Sequence, residues 1–371
     1  MDSNSFFEKI QEQYKAELPF VVFSRSINNT IKCWLQKDDE LRLTDTFSES
    51  GYVFSPFDLN QSSVVFPAEH SEQLIIKADF GVPSNLPEDK MALEDSETYM
   101  QLIEKAIHSM KTSEMTKVVL SRSEDIERPK TSIFRLYKRL LAKYKNAMVY
   151  CWYHPKVGLW MGATPELLFK VEGAQLTTIS LAGTRKSDVE TSIDWTPKEL
   201  EEQQIVTDYI SEQIASFTSS KSISKTETVK AGHLLHLKTR ILARVQSNRA
   251  ELKPIIEALH PTPAVCGFPR ELAQEFILKN ENYKREYYTG FLGEMNIKTR
   301  SERNRNRRNV ENSAYASYGL NSYLYVNLRC MKIDDNHIKI YVGGGITEAS
   351  EPLAEWEETV NKSQTLKSVI Y

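Results

Sequence analysis

The chain has 371 residues, 40% of them hydrophobic and 26% charged, the make-up of a globular protein with ample material for a large core. Its 47 basic residues stand against 50 acidic ones, a net charge of -3, so no general basic excess attracts nucleic acid. No apolar run reaches bilayer length, and residues 1–14 lack the basic start and apolar stretch of a secretory signal, so a cytoplasmic protein with no membrane partner is expected.

Taken in chain order, residues 1–95 read as β-rich and irregular, with short β-type runs at 20–23, 31–35 and 64–66 and turn signals at Asn28–Asn29 and Ser50–Gly51. They form a β-rich part of the same core as residues 96–371, where the chemistry-bearing motifs lie. A helix is predicted over 96–110, where Tyr99, Leu102, Ile103 and Ala106 fall at helical spacing. Lys117 opens a β-branched strand, and 133–144 is an amphipathic helix with Leu136, Leu140 and Leu141 on one face. Residues 148–153, 159–161, 167–171 and 176–181 read as successive strands, and 199–217 as a long helix. Shorter helices follow at 254–259 and 269–278, each opened by a proline. A hairpin is predicted from 324–331 and 337–342 across Asp334–Asp335–Asn336. The Arg/Asn-rich run at 298–312 reads as a solvated loop, with an acidic partner or RNA as the rival reading. Cys33, Cys151, Cys266 and Cys330 form no CxxC pair, so neither a disulfide framework nor a zinc site is expected. The whole is read as one large α+β domain and a monomer.

Several residues could carry chemistry. In the tail, Gly343, Gly344 and Gly345 follow an apolar strand, and bare backbone there lets a ligand approach N–H groups closely. Glu355 and Glu358 are three apart on a helix, so both carboxylates point one way, as a hard divalent cation such as Mg2+ requires; Lys362 shares that face. A surface helix with an i,i+4 ion pair is the alternative. Glu199 and Glu202 repeat the spacing on another helix, where an acidic first turn favoured by the helix dipole is the rival. Lys117 is either a solvated strand end or a buried amine able to act as a general base. Glu166 follows the stiff Thr164–Pro165 turn and precedes an apolar strand; a carboxyl against an apolar wall has a raised pKa and can serve as a general acid. Gly183 and Thr184 form a plausible anion-facing turn, and His260 is held by the prolines that follow it. Arg329, inside an apolar strand, needs an anionic partner if buried.

Eight segments in order resemble the chorismate-utilising enzyme family, and within it the isochorismate synthases. They are 117–122 (KVVLSR), 162–168 (GATPELL), 181–184 (LAGT), Glu199 with Glu202, 260–269 (HPTPAVCGFP), 285–293 (REYYTGFLG), 326–330 (VNLRC) and 341–362. The resemblance covers roughly residues 95–370. It implies two stacked antiparallel sheets flanked by helices, with the site between them, and it implies Mg2+ and chorismate. By position, Glu202, Glu355 and Glu358 match the metal carboxylates, with Glu199 nearby. Lys117 matches the base that activates water and Glu166 the general acid. Gly183, Thr184, Tyr288, Arg329, Gly343, Gly345 and Lys362 match positions that hold the substrate's carboxylates, and His260 matches a histidine beside the ring. Gln203 and Gly344 depart from the usual pattern, where histidine and alanine are more common. Lys117 and the HPTP segment point to water as nucleophile, not the ammonia used by anthranilate and aminodeoxychorismate synthases. Salicylate synthases, which go on to eliminate pyruvate, share these groups and are the alternative. A catalytically inactive relative that binds a carboxylated metabolite is the alternative of another class.

Overall fold

The computed structural model describes residues 1–25, 29–77, 80, 96–186, 195–231, 234–246, 251–301 and 317–371. Two large sheets, antiparallel at every pairing among the described residues, lie face to face. The nine-stranded sheet runs Gly267–Phe268, Lys117–Glu127, His337–Thr347, Cys330–Ile333, Gly158–Thr164, Met148–His154, Phe20–Ser24, Thr30–Gln36 and Ser71–Lys77. The ten-stranded sheet runs Thr218–Ile223, Leu234–Val245, Gln175–Lys186, Leu167–Glu172, Ser317–Val326, Phe291–Ser301, Gly51–Ser55, Ser63–Pro67 and Leu43–Thr44, with Glu227–Ala231 also on the Leu234–Val245 strand. This is the stacked α+β architecture the resemblance implied. Strands from residues 20–77 enter both sheets.

Central strands such as Phe20–Ser24, Gly51–Ser55 and Met148–His154 are buried along almost their whole length, so each sheet buries both faces there. Between the sheets lie large rings: Trp152, Trp160 and Tyr341 from one side and Tyr52, Phe54 and Phe66 from the other. On the outer face of the nine-stranded sheet, Ser3–Lys15 and Ile133–Lys143 bury Phe6, Ile10, Leu136, Tyr137 and Leu140. The helices Pro197–Gln213 and Leu252–Leu259 cover the ten-stranded sheet through Val206, Ile210, Ile255 and Ile256. Ser96–Met110, Arg270–Asn280 and the start of Pro352–Ile370 pack on the back of the Lys117–Glu127 strand through Tyr99, Ile103, Ala273, Trp356 and Val360. No described helix is long and apolar enough to cross a membrane.

Three sequence expectations change. The 324–331 segment is not one strand: Ser317–Val326 belongs to the ten-stranded sheet and Cys330–Ile333 to the nine-stranded one, so the hairpin partner of His337–Thr347 starts only at Cys330. The 176–181 strand continues to Lys186 past a register shift between Ala182 and Thr184, where Gly183 has φ +68°. The helix Ser3–Lys15 and the strands between 218 and 245 were not anticipated. The Arg/Asn-rich run lies outside the described residues beyond position 301.

Candidate active site

The chain passes from one sheet to the other at two places that meet. After Gly158–Thr164 it crosses through Pro165 and Glu166 into Leu167–Glu172; after Ser317–Val326 it crosses back through Asn327, Leu328 and Arg329 into Cys330–Ile333. Backbone bonds tie the crossings together: the Val326 amide donates to the Glu166 carbonyl at 3.0 Å and the Ala163 amide to the Arg329 carbonyl at 3.1 Å. The Thr164 hydroxyl adds a bond to the Val326 carbonyl at 2.6 Å. A third segment joins them, since the Asn327 amide donates to the Gly290 carbonyl at 2.8 Å and the Thr289 amide to the Asn327 carbonyl at 2.9 Å. Glu166, Arg329 and Tyr288 are therefore held at the seam between sheets by paired backbone. Arg329 has φ +47°, a left-handed conformation a strand interior would not allow, which turns it out of both ladders.

Glu166 is half-buried in this seam, and loss of hydration pushes its carboxyl up to about 7. The charges of Arg329 and then Lys117 oppose that rise, so all three groups share one field. Arg329 makes no ion pair or hydrogen bond through its guanidinium among the described residues, and burial works against its charge. A cation so placed is complementary to an incoming carboxylate.

Lys117 reaches the cleft from the nine-stranded sheet. Val118 and Leu120 point back to the helices, which leaves Lys117, Val119 and Ser121 on the inner face. On the neighbouring strand Gly345 pairs with Val119 and Gly343 with Ser121. A Cβ at Gly345 would lie 3.1 Å from Lys117 Cε, and one at Gly343 would lie 2.6 Å from the Leu120 carbonyl oxygen and 3.0 Å from the Tyr288 hydroxyl. These two glycines leave the floor bare so that the lysine and the tyrosine can lie over it. Gly344 faces the opposite way, where a Cβ would meet Glu355 Oε2 at an ordinary 3.5 Å. Tyr288 is buried, which raises its hydroxyl's pKa, and its ring stacks on Tyr341 at 5.4 Å.

Lys362 donates to the Gly343 carbonyl at 2.8 Å and pairs with Glu358 at 2.6 Å, so the surface-type i,i+4 pair is present and anchored to the glycine floor. Glu355 accepts from Ser350 at 2.7 Å; burial first, and then the charge of Glu358, raises its pKa. Glu199 caps its own helix: its carboxylate accepts from the Thr196 amide at 2.8 Å and hydroxyl at 2.7 Å. The side chains of Glu202 and Thr184 lie outside the described residues. Among the described residues no three His, Cys, Asp or Glu side chains converge as a metal site.

His260 lies beside Phe57 and Phe291. Its Nε2 bonds the Phe57 carbonyl at 3.1 Å, its ring packs edge-on against Phe291, and burial holds its pKa down at about 4. The histidine that faces the cluster is His236, which the sequence reading missed. It pairs across from Thr184, bonds the Gly183 carbonyl through Nδ1 at 3.1 Å, and has its pKa lowered by burial and then by the nearby charges of Arg329 and Lys362.

A model described as chorismate binding enzyme matches residues 68–303, and a second of the same description matches 314–368. The chain belongs to the chorismate-binding enzyme family. Isochorismate synthase EntC of Escherichia coli is 28% identical over 293 residues, covering 76% of this chain and 69% of that protein. Isochorismate synthase MenF of Pasteurella multocida is 29% identical over 292 residues, 74% of this chain and 62% of that one. The solved structure of Bacillus anthracis DhbC, described as a 2,3-dihydroxybenzoate-specific isochorismate synthase, superposes with a TM-score of 0.75 at 24% identity over 98% of each chain, a likeness of fold. Within this family, the seam between the sheets gathers Lys117, Glu166, Tyr288, Arg329 and the two inward glycines.

Proposed function

We propose that this enzyme is an isochorismate synthase, converting chorismate to isochorismate by adding water at C2 and expelling the C4 hydroxyl. The observation that carries the reading is the pairing of a lysine from one sheet with a carboxyl whose pKa is pushed up to about 7 at the seam. Such a carboxyl still holds its proton near neutrality and can donate it. Lys117 takes a proton from the attacking water; the new C–O bond forms at C2, the ring double bonds shift, and the C4 oxygen leaves with the proton from Glu166. One water enters and one leaves, so the product is an isomer. Arg329, Tyr288 and the amides around Gly343 and Gly345 hold the substrate's carboxylates, with Lys362 behind the floor. The isochorismate synthases among the relatives support this choice over other uses of the fold.

Mg2+ belongs to the same reading. Glu355 and Glu358 fit it in chemistry: burial and then the charge of Glu358 raise the pKa of Glu355, with one lysine to offset the pair, a donor set a divalent cation would relieve. Glu202 would complete the set, while Glu199 is occupied as a helix cap. Bound there, Mg2+ would offset the charge of a substrate carboxylate.

Proton NMR of chorismate with the purified protein tests the reading, first with Mg2+ and then with chelator. Mg2+-dependent isochorismate without pyruvate is the expected result. Salicylate with pyruvate would move the enzyme to the pyruvate-eliminating relatives, and unchanged chorismate with folded protein would favour a binding protein.

A further inference from the structure

The strand that presents Lys117 lies near a sheet edge, and its partner there is very short. Gly267–Phe268 pairs only with Val118 and Lys117, and the Val119 amide still finds the Cys266 carbonyl at 2.8 Å. Beyond that point no strand among the described residues covers this edge. Two side chains take its place. Arg285 Nη2 donates to the Val119 carbonyl at 2.7 Å, and Glu281 Oε1 accepts from the Ser121 amide at 2.8 Å and from its hydroxyl at 2.8 Å. A carbonyl at one residue and an amide two residues on point to the same side of a strand, which is the pattern a neighbouring strand would satisfy.

The two side chains are also joined to each other, Nε to Oε2 at 2.8 Å and Nη2 to Oε1 at 2.6 Å, and are 3% and 2% exposed. Arg285 Nη1 reaches the Val265 carbonyl and the Thr289 hydroxyl, each at 3.1 Å. All five guanidinium N–H groups thus have acceptors in four segments, an arrangement that a lysine's single ammonium cannot reproduce. One of those segments carries Lys117 and another carries Tyr288, whose carbonyl accepts from the Thr289 hydroxyl at 2.6 Å. A buried ion pair seldom adds net stability over an apolar replacement, so its use here calls for a geometric reason.

We propose that Glu281 and Arg285 are positioning residues: they close the open strand edge at Val119–Ser121 and so fix Lys117 relative to Tyr288 and the seam. This rests on the isochorismate synthase reading for its kinetic test only. The experiment is Arg285→Lys, which keeps the charge and loses the fork. Turnover of chorismate is measured together with the rate at which an amine reagent labels Lys117, read by peptide mass against Lys156. The expected result is a kcat lower by about a hundredfold, as small misplacements of a reacting group produce, with KM little changed and Lys117 labelled severalfold faster. A kcat and a Lys117 labelling rate equal to wild type, with only the melting temperature lowered, would overturn the proposal and leave an ordinary structural pair. If wild-type protein does not consume chorismate, the activity reading fails, and the labelling rate alone still decides the positioning. If Arg285→Lys does not fold, the neutral double variant Glu281→Gln/Arg285→Met takes the same two measurements with the same deciding outcomes.

Discussion

Two stretches of the space between the sheets differ sharply although they share a strand. Around Tyr341 the space is closed by rings: Tyr341 stacks on Trp160 at 5.3 Å, Phe66 on Trp152 at 5.2 Å and Phe54 on Tyr287 at 4.2 Å. Two and four residues further along, Gly343 and Gly345 offer no side chain at all, and Lys117 and Tyr288 lie over them. Alternation puts Tyr341, Gly343 and Gly345 on the same face, so side-chain volume falls away along one side of a single strand as aromatic core gives way to the polar cleft. Bulky residues bring the sheets into contact; glycines beside two chain crossings leave room for charge. The aromatic stretch supplies the rigidity against which the cleft keeps its geometry.

This contrast can be broken from either side. The largest effect is expected from Lys117→Ala, which removes the amine that lies over the bare floor: turnover should vanish with the fold and melting temperature retained, as circular dichroism and an NMR assay would record. Gly345→Ala comes next. Its Cβ would press on Lys117 Cε at 3.1 Å, and displacing the lysine by a fraction of an ångström to an ångström should cost up to about a hundredfold in kcat. Gly344→Ala is its control, since its Cβ meets only ordinary contact; kcat and stability should stay within about twofold and ~0.5 kcal/mol.

A smaller effect concerns pH. The Glu166 carboxyl is raised to about 7, so the general acid should lose its proton, and kcat should fall, as pH rises through about 7. The sign for stability follows from the same shift. Between about 4.5 and about 7 the folded protein holds a proton that the unfolded chain has lost, so ionisation of Glu166 lowers stability as pH rises across that window. Glu166→Gln should remove this slope and gain on the order of 1–2 kcal/mol at pH 8, after allowing for partial solvent contact, in denaturant titrations run at pH 5 and 8.

Much of the fold was legible because its elements obey local rules. The 96–110 helix shows its buried stripe at Tyr99, Ile103 and Ala106, and the strands between 148 and 181 show their apolar runs. The chain crossings were not legible. Leu324, Val326, Leu328 and Cys330 continue a period of two straight through the switch from one sheet to the other, and nothing local marks that Arg329 leaves the ladder. His236 was hidden for a similar reason: in an alternating strand it is an ordinary residue until the register sets it against the Gly183 bulge. Two other misses had readable signals. Asp2 precedes Phe6, Phe7 and Ile10 at helical spacing, the mark of the capped first helix, and Thr196 three before Glu199 marks the capping box that opens the Pro197–Gln213 helix. His260 matched a site position through the resemblance, and its own prolines hold it beside Phe57 and Phe291.

The most direct test of water addition across this seam is chorismate turnover in water enriched in oxygen-18, with the product's mass and the position of the label determined. The expected result is isochorismate carrying one solvent oxygen at C2 from the wild-type protein and no product from Lys117→Ala. Isochorismate without solvent oxygen, or labelled product from Lys117→Ala at the wild-type rate, would contradict it.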